Sequence, residues 1–227
     1  MGQKYCLNRP IYALSNRFYL FAVMTIENKF IQYFAQFMPL SDEEAQAIVE
    51  GMRIQTFPKG TVLLREGQVS MEAYFVLEGC VRQYSMHDGE EKTTNFFTEE
   101  QWVISLQSFT HKTPANHFFA CCEDSMLVVG TAEESNALYK RFPRIETISR
   151  KVVEKNFMEQ QDLMASYITD TPEQRYLKLL QSRPDLAQRI PQYQLASYIG
   201  VKPESLSRMR KRIMAKIHPA TMKKASI

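Results

Sequence analysis

Cysteine is scarce in this chain, and its spacing excludes the common metal sites. The 227 residues include only Cys6, Cys80, Cys121 and Cys122, with no C-x-x-C pair and no histidine at ligand spacing. Structural zinc sites and iron–sulfur clusters depend on such groups of thiolate and imidazole ligands. We therefore predict four reduced thiols in a cytoplasmic protein, where they serve mainly in packing.

Long apolar runs are also missing. The apolar stretch FYLFAVM is far shorter than the roughly 18 residues that a membrane-spanning helix needs, and it follows Asn16 and Arg17. No small-residue cleavage site comes after it, although a secretory signal peptide requires one. The sequence therefore predicts a protein that is neither inserted in a membrane nor exported.

The sequence contains no recognisable catalytic constellation. Its four histidines, His87, His111, His117 and His218, are scattered, and none stands in a hydrolase-like motif with a nucleophile or a paired acid. We interpret each of them as a surface or packing histidine. We predict that the protein is not an enzyme and that it holds no metal or other cofactor.

Charge is distributed unevenly along the chain. The formal net charge is +3, but residues 171–227 contain 12 Lys and Arg against 3 Asp and Glu, a net charge of +9. Residues 1–170 then contain 16 basic and 22 acidic residues, a net charge of −6. This asymmetry favours a basic domain that meets a polyanion beside an acidic domain with another task, although a solvated charged face would give the same count.

The first segments of the chain differ in their hydrophobic period. Residues 1–27 show no clear period, and Met24 is a natural start for the helical region that follows it. We interpret residues 1–27 as an extension, and residues 1–23 as a candidate non-native segment. From Ser41, the pattern S-D-E-E predicts an N-cap and a capping-box acid at Glu44, with a helix that continues to about Gly51.

Residues 28–142 are predicted to form a β-roll. Short β-rich runs in IQTFPKGTVLLREG and AYFVLEGCVRQYSMHDGEEKTTNFF alternate with glycines, and ANHFFACCEDSMLVVG adds further strands. The glycines that mark the turns are Gly60, Gly67, Gly79 and Gly89. Closely spaced short strands of this kind are typical of a compact roll or barrel.

Residues 143–170 return to a helical period. One stripe of the helix repeats every three or four residues and consists of Ile145, Ile148, Val152, Asn156, Gln160, Leu163 and Tyr167. A long, half-apolar helix between two domains needs a partner for its stripe. The pattern favours a dimer seam, and packing of the helix on its own β-roll is the alternative.

Residues 171–227 are predicted to form a small all-α domain. Thr171 and Pro172 predict an N-cap and a first helical position, and Pro184 should end or follow this first helix. A second helix is expected over about residues 192–199. Gly200 supplies a turn, and a third helix begins near Pro203.

The last two predicted helices have the features of a helix-turn-helix. The second of them begins with short polar and basic residues, and that end enters the major groove of DNA in such motifs. Arginine can bind guanine there, and glutamate can accept a hydrogen bond from cytosine. The predicted DNA-contact set is Lys202, Glu204, Ser205, Arg208, Lys211 and Arg212, and the predicted inner set is Leu195, Ala196, Ile199, Val201, Leu206 and Ile213. A surface helix of an ordinary α-domain is the alternative.

The order of β-roll, long helix and helix-turn-helix resembles the cyclic-AMP receptor protein and fumarate-nitrate regulator (Crp/Fnr) family of bacterial transcription factors. The resemblance covers about residues 28–213 and is most specific in QLASYIGVKPESLSRMRKRI, where Glu204, Ser205 and Arg208 fall on the family's positions for base and phosphate contact. It implies an α+β chain: a jelly roll like a cyclic nucleotide-binding domain (28–142), a dimerisation helix (143–170) and a winged-helix-turn-helix domain (171–227).

The resemblance also implies the partners of the chain. These are a second copy in a homodimer, double-stranded DNA and RNA polymerase. The final MAKIHPATMKKASI is too short and polar for the family's wing, so Lys216, Lys223 and Lys224 are expected to contact phosphates instead. The alternative function is a ligand-sensing or cyclic-nucleotide-binding-like module whose C-terminal domain has a role other than DNA binding.

Cyclic AMP is not expected as the effector. The family holds the ribose and the cyclic phosphate with a Gly-Glu and an Arg-Ser pair, and alignment places Ile104-Ser105 and Pro114-Ala115 at those positions. A buried anion without a guanidinium is strongly disfavoured. We expect a neutral or apolar effector, or none, near Trp102, Ser105, Phe109, Pro114, Ala115 and Phe118, and the alternative is that these aromatic side chains fill the core.

Overall fold

The computed structural model describes residues 29–217, with side chains as far as residue 215. The predicted extension at residues 1–27 and the predicted phosphate contacts at Lys223 and Lys224 therefore lie outside the described residues. The described chain divides into two compact units, one of residues 29–83 and 96–155, the other of residues 84–95 and 156–217. The domain boundaries at residues 142 and 170 stay a prediction, since this division separates packing units and cuts the long helix.

The chain is an α+β protein, as predicted. The strands are β1 (Arg53–Phe57), β2 (Val62–Leu64), β3 (Glu72–Glu78), β4 (Val81–His87), β5 (Glu90–Phe97), β6 (Trp102–Val103), β7 (Phe118–Cys121) and β8 (Ser125–Thr131). The helices are α1 (29–35), α2 (Asp42–Glu50), α3 (Leu106–His111), α4 (Ala132–Arg141), α5 (Pro143–Thr169), α6 (Pro172–Ser182), α7 (Pro184–Arg189), α8 (Gln192–Tyr198) and α9 (Pro203–Ile217).

The strands form the two sheets of a jelly roll. One sheet has the order β1-β8-β3-β6 and the other has the order β2-β7-β4-β5, which leaves β5 at an edge. In the first sheet, antiparallel pairing sets Arg53 opposite Val129 and Glu72 opposite Thr131. The predicted β-roll is confirmed.

Alternation along β3 and β8 divides the apolar side chains of the first sheet between two cores. Tyr74 and Val76 join a cluster that draws residues from both sheets, whereas Phe75 and Leu77 join a cluster with α1, α2 and α5. Successive residues of a strand point to opposite faces, so an unbroken apolar run indicates a sheet that is covered on both sides. The roll therefore has a helical layer packed on one of its sheets.

Glycines make the turns of the roll at the predicted positions. Gly60, Gly67, Gly79 and Gly89 all have positive φ angles, a backbone region in which a side chain is strained. Asp88 precedes Gly89 with a φ of 53°, so both central residues of the β4–β5 turn are left-handed. This Asp-Gly pair is the sequence typical of a tight two-residue hairpin turn.

Helix caps agree with the sequence prediction at Ser41, but the three short helices α3, α4 and α7 were not predicted. The Ser41 Oγ accepts the Glu44 N–H at 3.2 Å and the Ser41 N–H donates to the Glu44 carboxylate at 2.8 Å, which confirms the predicted capping box. Helix α4 starts with an equivalent box at Thr131 that the sequence analysis missed. Helix α7 was also missed, because its proline reads as the end of α6 rather than as a new first turn.

Cys80, Cys121 and Cys122 are buried thiols rather than disulfides. Burial raises the pKa of the Cys121 thiol to about 11, so it is protonated at neutral pH. A hydrogen bond from Cys80, followed by the charge of Arg82, lowers the pKa of Cys122. Cys6 lies outside the described residues.

The N-terminal part of α5 belongs to the core of the first unit. Ile145, Ile148 and Val152 are at most 6% exposed and pack in the cluster that also contains Phe30 and Phe75. For these three residues the structure selects the alternative in which the helix packs on its own β-roll. The predicted stripe is therefore not one continuous seam.

Candidate nucleic-acid interface

Helices α8 and α9 are joined by a tight turn at Gly200, as predicted. The φ angle of Gly200 is +74°. Its N–H donates to the Ser197 carbonyl at 3.1 Å, and the Val201 N–H donates to the Ala196 carbonyl at 2.9 Å. This pair of bonds around a left-handed glycine is a Schellman motif, which ends α8 sharply and lets α9 begin three residues later.

The inner face of this helix pair is apolar and buried. Leu195, Ala196, Ile199, Leu206 and Ile213 are at most 5% exposed, and Val201 is half-buried. Buried side chains of α6 and α7, such as Tyr176 and Leu186, belong to the same unit, as does Met209 of α9, which the sequence analysis missed. Because one face of α9 packs against the other helices of this unit, the opposite face must point to solvent.

The opposite face of α9 presents the predicted DNA-contact set to solvent. Lys202, Glu204, Arg208 and Lys211 are exposed, and Ser205 is half-buried. The Arg208 guanidinium donates to the Ser205 hydroxyl at 3.3 Å, across one turn of the helix. This contact aims the arginine toward the N-terminal end of α9, the end that enters the major groove in helix-turn-helix proteins.

Arg212 differs from the other members of the set. Its guanidinium forms an ion pair with Glu173 in the first turn of α6. The carboxylate would have to release the arginine, or share it, before a phosphate could bind there. Arg212 therefore ties α9 to α6. The side chain of Lys216 lies outside the described part of the chain.

Arg175 connects the end of α8 to the end of α5, and no sequence pattern predicts this role. Its Nε donates to the Ile199 carbonyl at 3.0 Å, and its Nη1 donates to the Asp170 carbonyl at 2.7 Å. The guanidinium also lies 5.2 Å from the ring centre of Tyr167. A single side chain thus binds the carbonyls of the residues that follow α5 and α8, where helix dipoles favour a cation.

The junction between α5 and α6 carries a second fixed charge. Lys178 lies 2.6 Å from the Asp170 carboxylate, and Ser166 also donates to this carboxylate. The hydrogen bond from Lys178, followed by that from Ser166, lowers the pKa of Asp170. Thr171 then caps α6 through Gln174, as its position in the sequence predicts.

The C-terminal part of α5 exposes a second apolar face. Phe157 is 61% exposed and Ile168 is 80% exposed, with Val153 and Met164 also open to solvent. Val153, Phe157, Gln160, Met164 and Tyr167 are spaced four, three, four and three residues apart, which is the spacing of a coiled-coil seam. At about 100° per residue, this face is rotated by roughly a quarter of a turn from Val152.

The residues predicted for an effector pocket do not all meet in one place. The Trp102 ring packs 5.3 Å from Phe75 and 6.1 Å from Phe30, in the cluster beneath the helical layer. Ala115 belongs instead to the cluster between the two sheets. The Trp102 ring therefore packs against the core, and its part in an effector pocket stays a prediction.

The remaining predicted pocket residues line the segment from α3 to β7. Ser105 is buried at the start of α3, Phe109 and Phe118 are half-buried, and Pro114 is exposed. The Ala115 N–H donates to the Gln68 carbonyl at 2.8 Å, and the Ala115 carbonyl accepts the Gly67 N–H at the same distance. The backbone at one aligned position is therefore already bound to the neighbouring loop.

Among the described histidines, His117 is the one with a packing role. Its ring lies 4.8 Å from Phe119, and burial lowers its pKa. His87 and His111 are exposed, in agreement with their interpretation as surface residues. Residues 29–217 contain no group of three or more acidic, cysteine or histidine side chains placed to hold a metal ion. They also include no helix long and apolar enough to cross a membrane.

The comparisons with known proteins agree with this fold. The family model described as a cyclic nucleotide-binding domain matches residues 54–142. A search of curated proteins finds no significant relative. Solved structures resemble most of the chain.

Three such structures indicate the architecture of both units. The c-di-GMP-responsive global regulator CLP of Xanthomonas campestris is 17% identical, with a TM-score of 0.62 over 78% of this chain and 93% of that one. FixK2 of Bradyrhizobium japonicum is 15% identical, with a TM-score of 0.61 over 73% and 85%. A putative Crp/Fnr-family regulator of Eubacterium rectale is 17% identical, with a TM-score of 0.62 over 82% and 88%.

Proposed function

We propose that this Crp/Fnr-like chain, with its cyclic-nucleotide-binding type of β-roll, is a transcriptional regulator that binds duplex DNA sequence-specifically as a homodimer. The proposal includes a cytoplasmic location and RNA polymerase as a partner, because such a regulator acts on transcription. The Crp/Fnr fold is a scaffold of regulators rather than of enzymes. Function must nevertheless be argued from the site itself, because one fold can host several activities.

The exposed face of α9 carries the proposal. It combines the guanidinium of Arg208 and the ammonium of Lys211 with the carboxylate of Glu204, a hydrogen-bond acceptor in the first turn of the helix. Arginine and glutamate at such positions can read the edges of guanine and cytosine, whereas lysine mainly neutralises phosphate. The net charge of +9 on residues 171–227 supplies the nonspecific attraction that DNA binding requires.

The exposed apolar face of α5 supports the homodimer. Phe157, Met164 and Ile168 form an apolar surface on a long helix. A contiguous exposed apolar patch of this kind marks an interaction site, whereas isolated exposed apolar residues do not. A parallel pairing of two α5 helices would cover this face. It would also provide two copies of α9, which suits two half-sites about one turn of DNA apart.

For the effector we propose that cyclic AMP is not bound. None of the side chains at Ile104, Ser105, Pro114 and Ala115 can neutralise a cyclic phosphate. Proline has no N–H to donate, and the Ala115 N–H is already bound to Gln68. Burying the anion would therefore leave it without compensating partners, which is strongly unfavourable.

Binding-site selection tests the DNA-binding proposal. The protein should enrich one palindromic duplex from a randomised pool. On that duplex, Arg208→Ala should cost about 1–3 kcal/mol and relax the preference at one base position. Lys211→Ala should weaken binding to all duplexes alike and reduce the salt slope by about 1. Fluorescence anisotropy at several salt concentrations measures both effects.

Arg65→Ala is the matched control, because Arg65 is an exposed arginine of the first unit. It should bind the selected duplex as the unsubstituted protein does. Equal losses for Arg208→Ala on selected and random duplexes would contradict base reading by this residue. Failure to enrich any sequence would contradict the proposed function.

A further inference from the structure

The outer part of the β4–β5 hairpin packs with the helix-turn-helix, while β4 also pairs with β7 in the roll. Its residues 84–95 belong to the same compact unit as residues 156–217. The Asp88-Gly89 turn fixes its register, because a two-residue turn with both residues left-handed allows one pairing of the flanking strands. The position of each residue on β5 is therefore defined.

Ser197 of α8 contacts the outer edge of β5 with a single hydroxyl group. The Thr93 N–H donates to the Ser197 Oγ at 2.9 Å, and the same Oγ donates to the Glu91 carbonyl at 3.1 Å. Residues two apart on a strand point their backbone groups to the same side, and β5 is an edge strand of its sheet. The serine thus uses its donor and one acceptor lone pair to take the place of a neighbouring strand.

The tip of this hairpin is acidic. Asp88, Glu90 and Glu91 are exposed there, with Lys92 as the partner of Glu90. The hydrogen bond from Lys92 and then its charge lower the pKa of Glu90, and Lys202 contributes a further lowering. The carboxylate of Glu90 is therefore within electrostatic range of the first residue of the DNA-contact set.

We propose that Ser197 latches the β4–β5 hairpin onto the helix-turn-helix, and that the latched acidic tip weakens the attraction of the free protein for DNA. Carboxylates beside a DNA-contact face repel phosphate and compete with it for lysine. Release of the hairpin removes both effects. The inhibitory half of the proposal rests on the proposed DNA binding, whereas the latch itself does not.

Amide hydrogen exchange tests the latch without DNA. In the full-length Ser197→Ala protein, the Thr93 amide should exchange about tenfold faster, because its acceptor is lost. Ser182→Ala is the matched control, since the Ser182 hydroxyl donates to the Lys178 carbonyl inside α6 at 2.8 Å. It should leave Thr93 unchanged. Unaltered Thr93 exchange in Ser197→Ala would overturn the latch.

Anisotropy with a mixed-sequence duplex of about 30 base pairs tests the inhibition. At low salt, Ser197→Ala should bind about three- to tenfold more tightly than the unsubstituted protein. Glu90→Gln should bind about twofold more tightly while Thr93 exchange stays unchanged, since it removes charge and leaves the latch intact. Both gains should fall as salt rises. Faster exchange without tighter binding would overturn the inhibitory role, and absence of binding by every variant would contradict the proposed function instead.

Discussion

At the scale of single residues, Gly79 leaves the least room for a side chain among the glycines of the described part of the chain. Its φ is +106°, and a Cβ added there would lie 2.7 Å from the Cα of Ser125. The Gly79 N–H also donates to the Glu99 carboxylate at 2.9 Å, so the loop cannot move away without losing a bond. Both the backbone conformation and the space require glycine.

Gly79→Ala should therefore destabilise the first unit by about 3 kcal/mol, through strain at positive φ and the clash with Ser125. Gly60→Ala is the matched control: its φ is +83°, but nothing lies within 4 Å of the added Cβ, so strain alone should cost about 1 kcal/mol. Trp102 is the single tryptophan and lies in the first unit, so its fluorescence during urea unfolding measures both values. Equal losses in the two variants would contradict the steric argument.

The residues aligned with the family's cyclic-nucleotide contacts lead to a prediction about ligands. Titration of the protein with cyclic AMP or cyclic GMP at millimolar concentration should give no saturable heat, because Ile104, Ser105, Pro114 and Ala115 offer no cation for the phosphate. Isothermal calorimetry is the measurement, with an inert nucleoside as the reference for dilution. Saturation at micromolar concentrations would show that other residues hold the phosphate.

At the scale of elements, α5 changes its role along its length. Its first buried residues pack on the roll, and its later apolar residues face outward. The sequence predicted the helix and its need for a partner, but not the rotation between the two faces. Both faces repeat at three or four residues, and periodicity alone does not say which one meets the chain's own core.

This rotation separates the effects of two glutamate substitutions. Val152→Glu should unfold the first unit, since an unpaired carboxylate in its core costs about 3–5 kcal/mol. Phe157→Glu should leave the unfolding transition unchanged but release monomers, since it sets like charges face to face across a two-fold axis. Light scattering after size exclusion and urea unfolding measure the two effects. Asp162→Lys, which alters charge away from the apolar face, should remain dimeric, and a dimeric Phe157→Glu would place the seam elsewhere.

The helix-turn-helix was more predictable than the roll's interior. Its caps, its glycine turn and its inner apolar set all depend on neighbouring residues, so local pattern was sufficient for α8 and α9. Trp102 and Ala115 are close in the sequence yet belong to different clusters, because the strand and helix between them separate the two faces of the sheet. Ser197 acquires its role from partners 104 and 106 residues away, and Arg175 acquires its role by joining Asp170 to Ile199, so no local pattern marks either residue.

At the scale of the whole molecule, charge and packing divide the chain differently. The acidic excess belongs to residues 1–170, yet residues 84–95 pack with the basic C-terminal helices. Opposite charges are thereby brought into one compact unit. Counting charged residues along the sequence indicates a polyanion partner, but it does not show which acidic side chains of the chain pack beside the basic helices.

Because one unit contains both residues 84–95 and the C-terminal helices, the ribosome makes β5 well before the serine that contacts it. Ser197 follows Thr93 by 104 residues. At about 5–20 residues per second, the ribosome needs roughly 5–20 s to supply the serine after the threonine has been made. During that interval the edge of β5 is a template for pairing with other nascent chains. The charged side chains of Glu90, Glu91 and Lys92 protect it, because charges on an edge strand oppose intermolecular sheet extension.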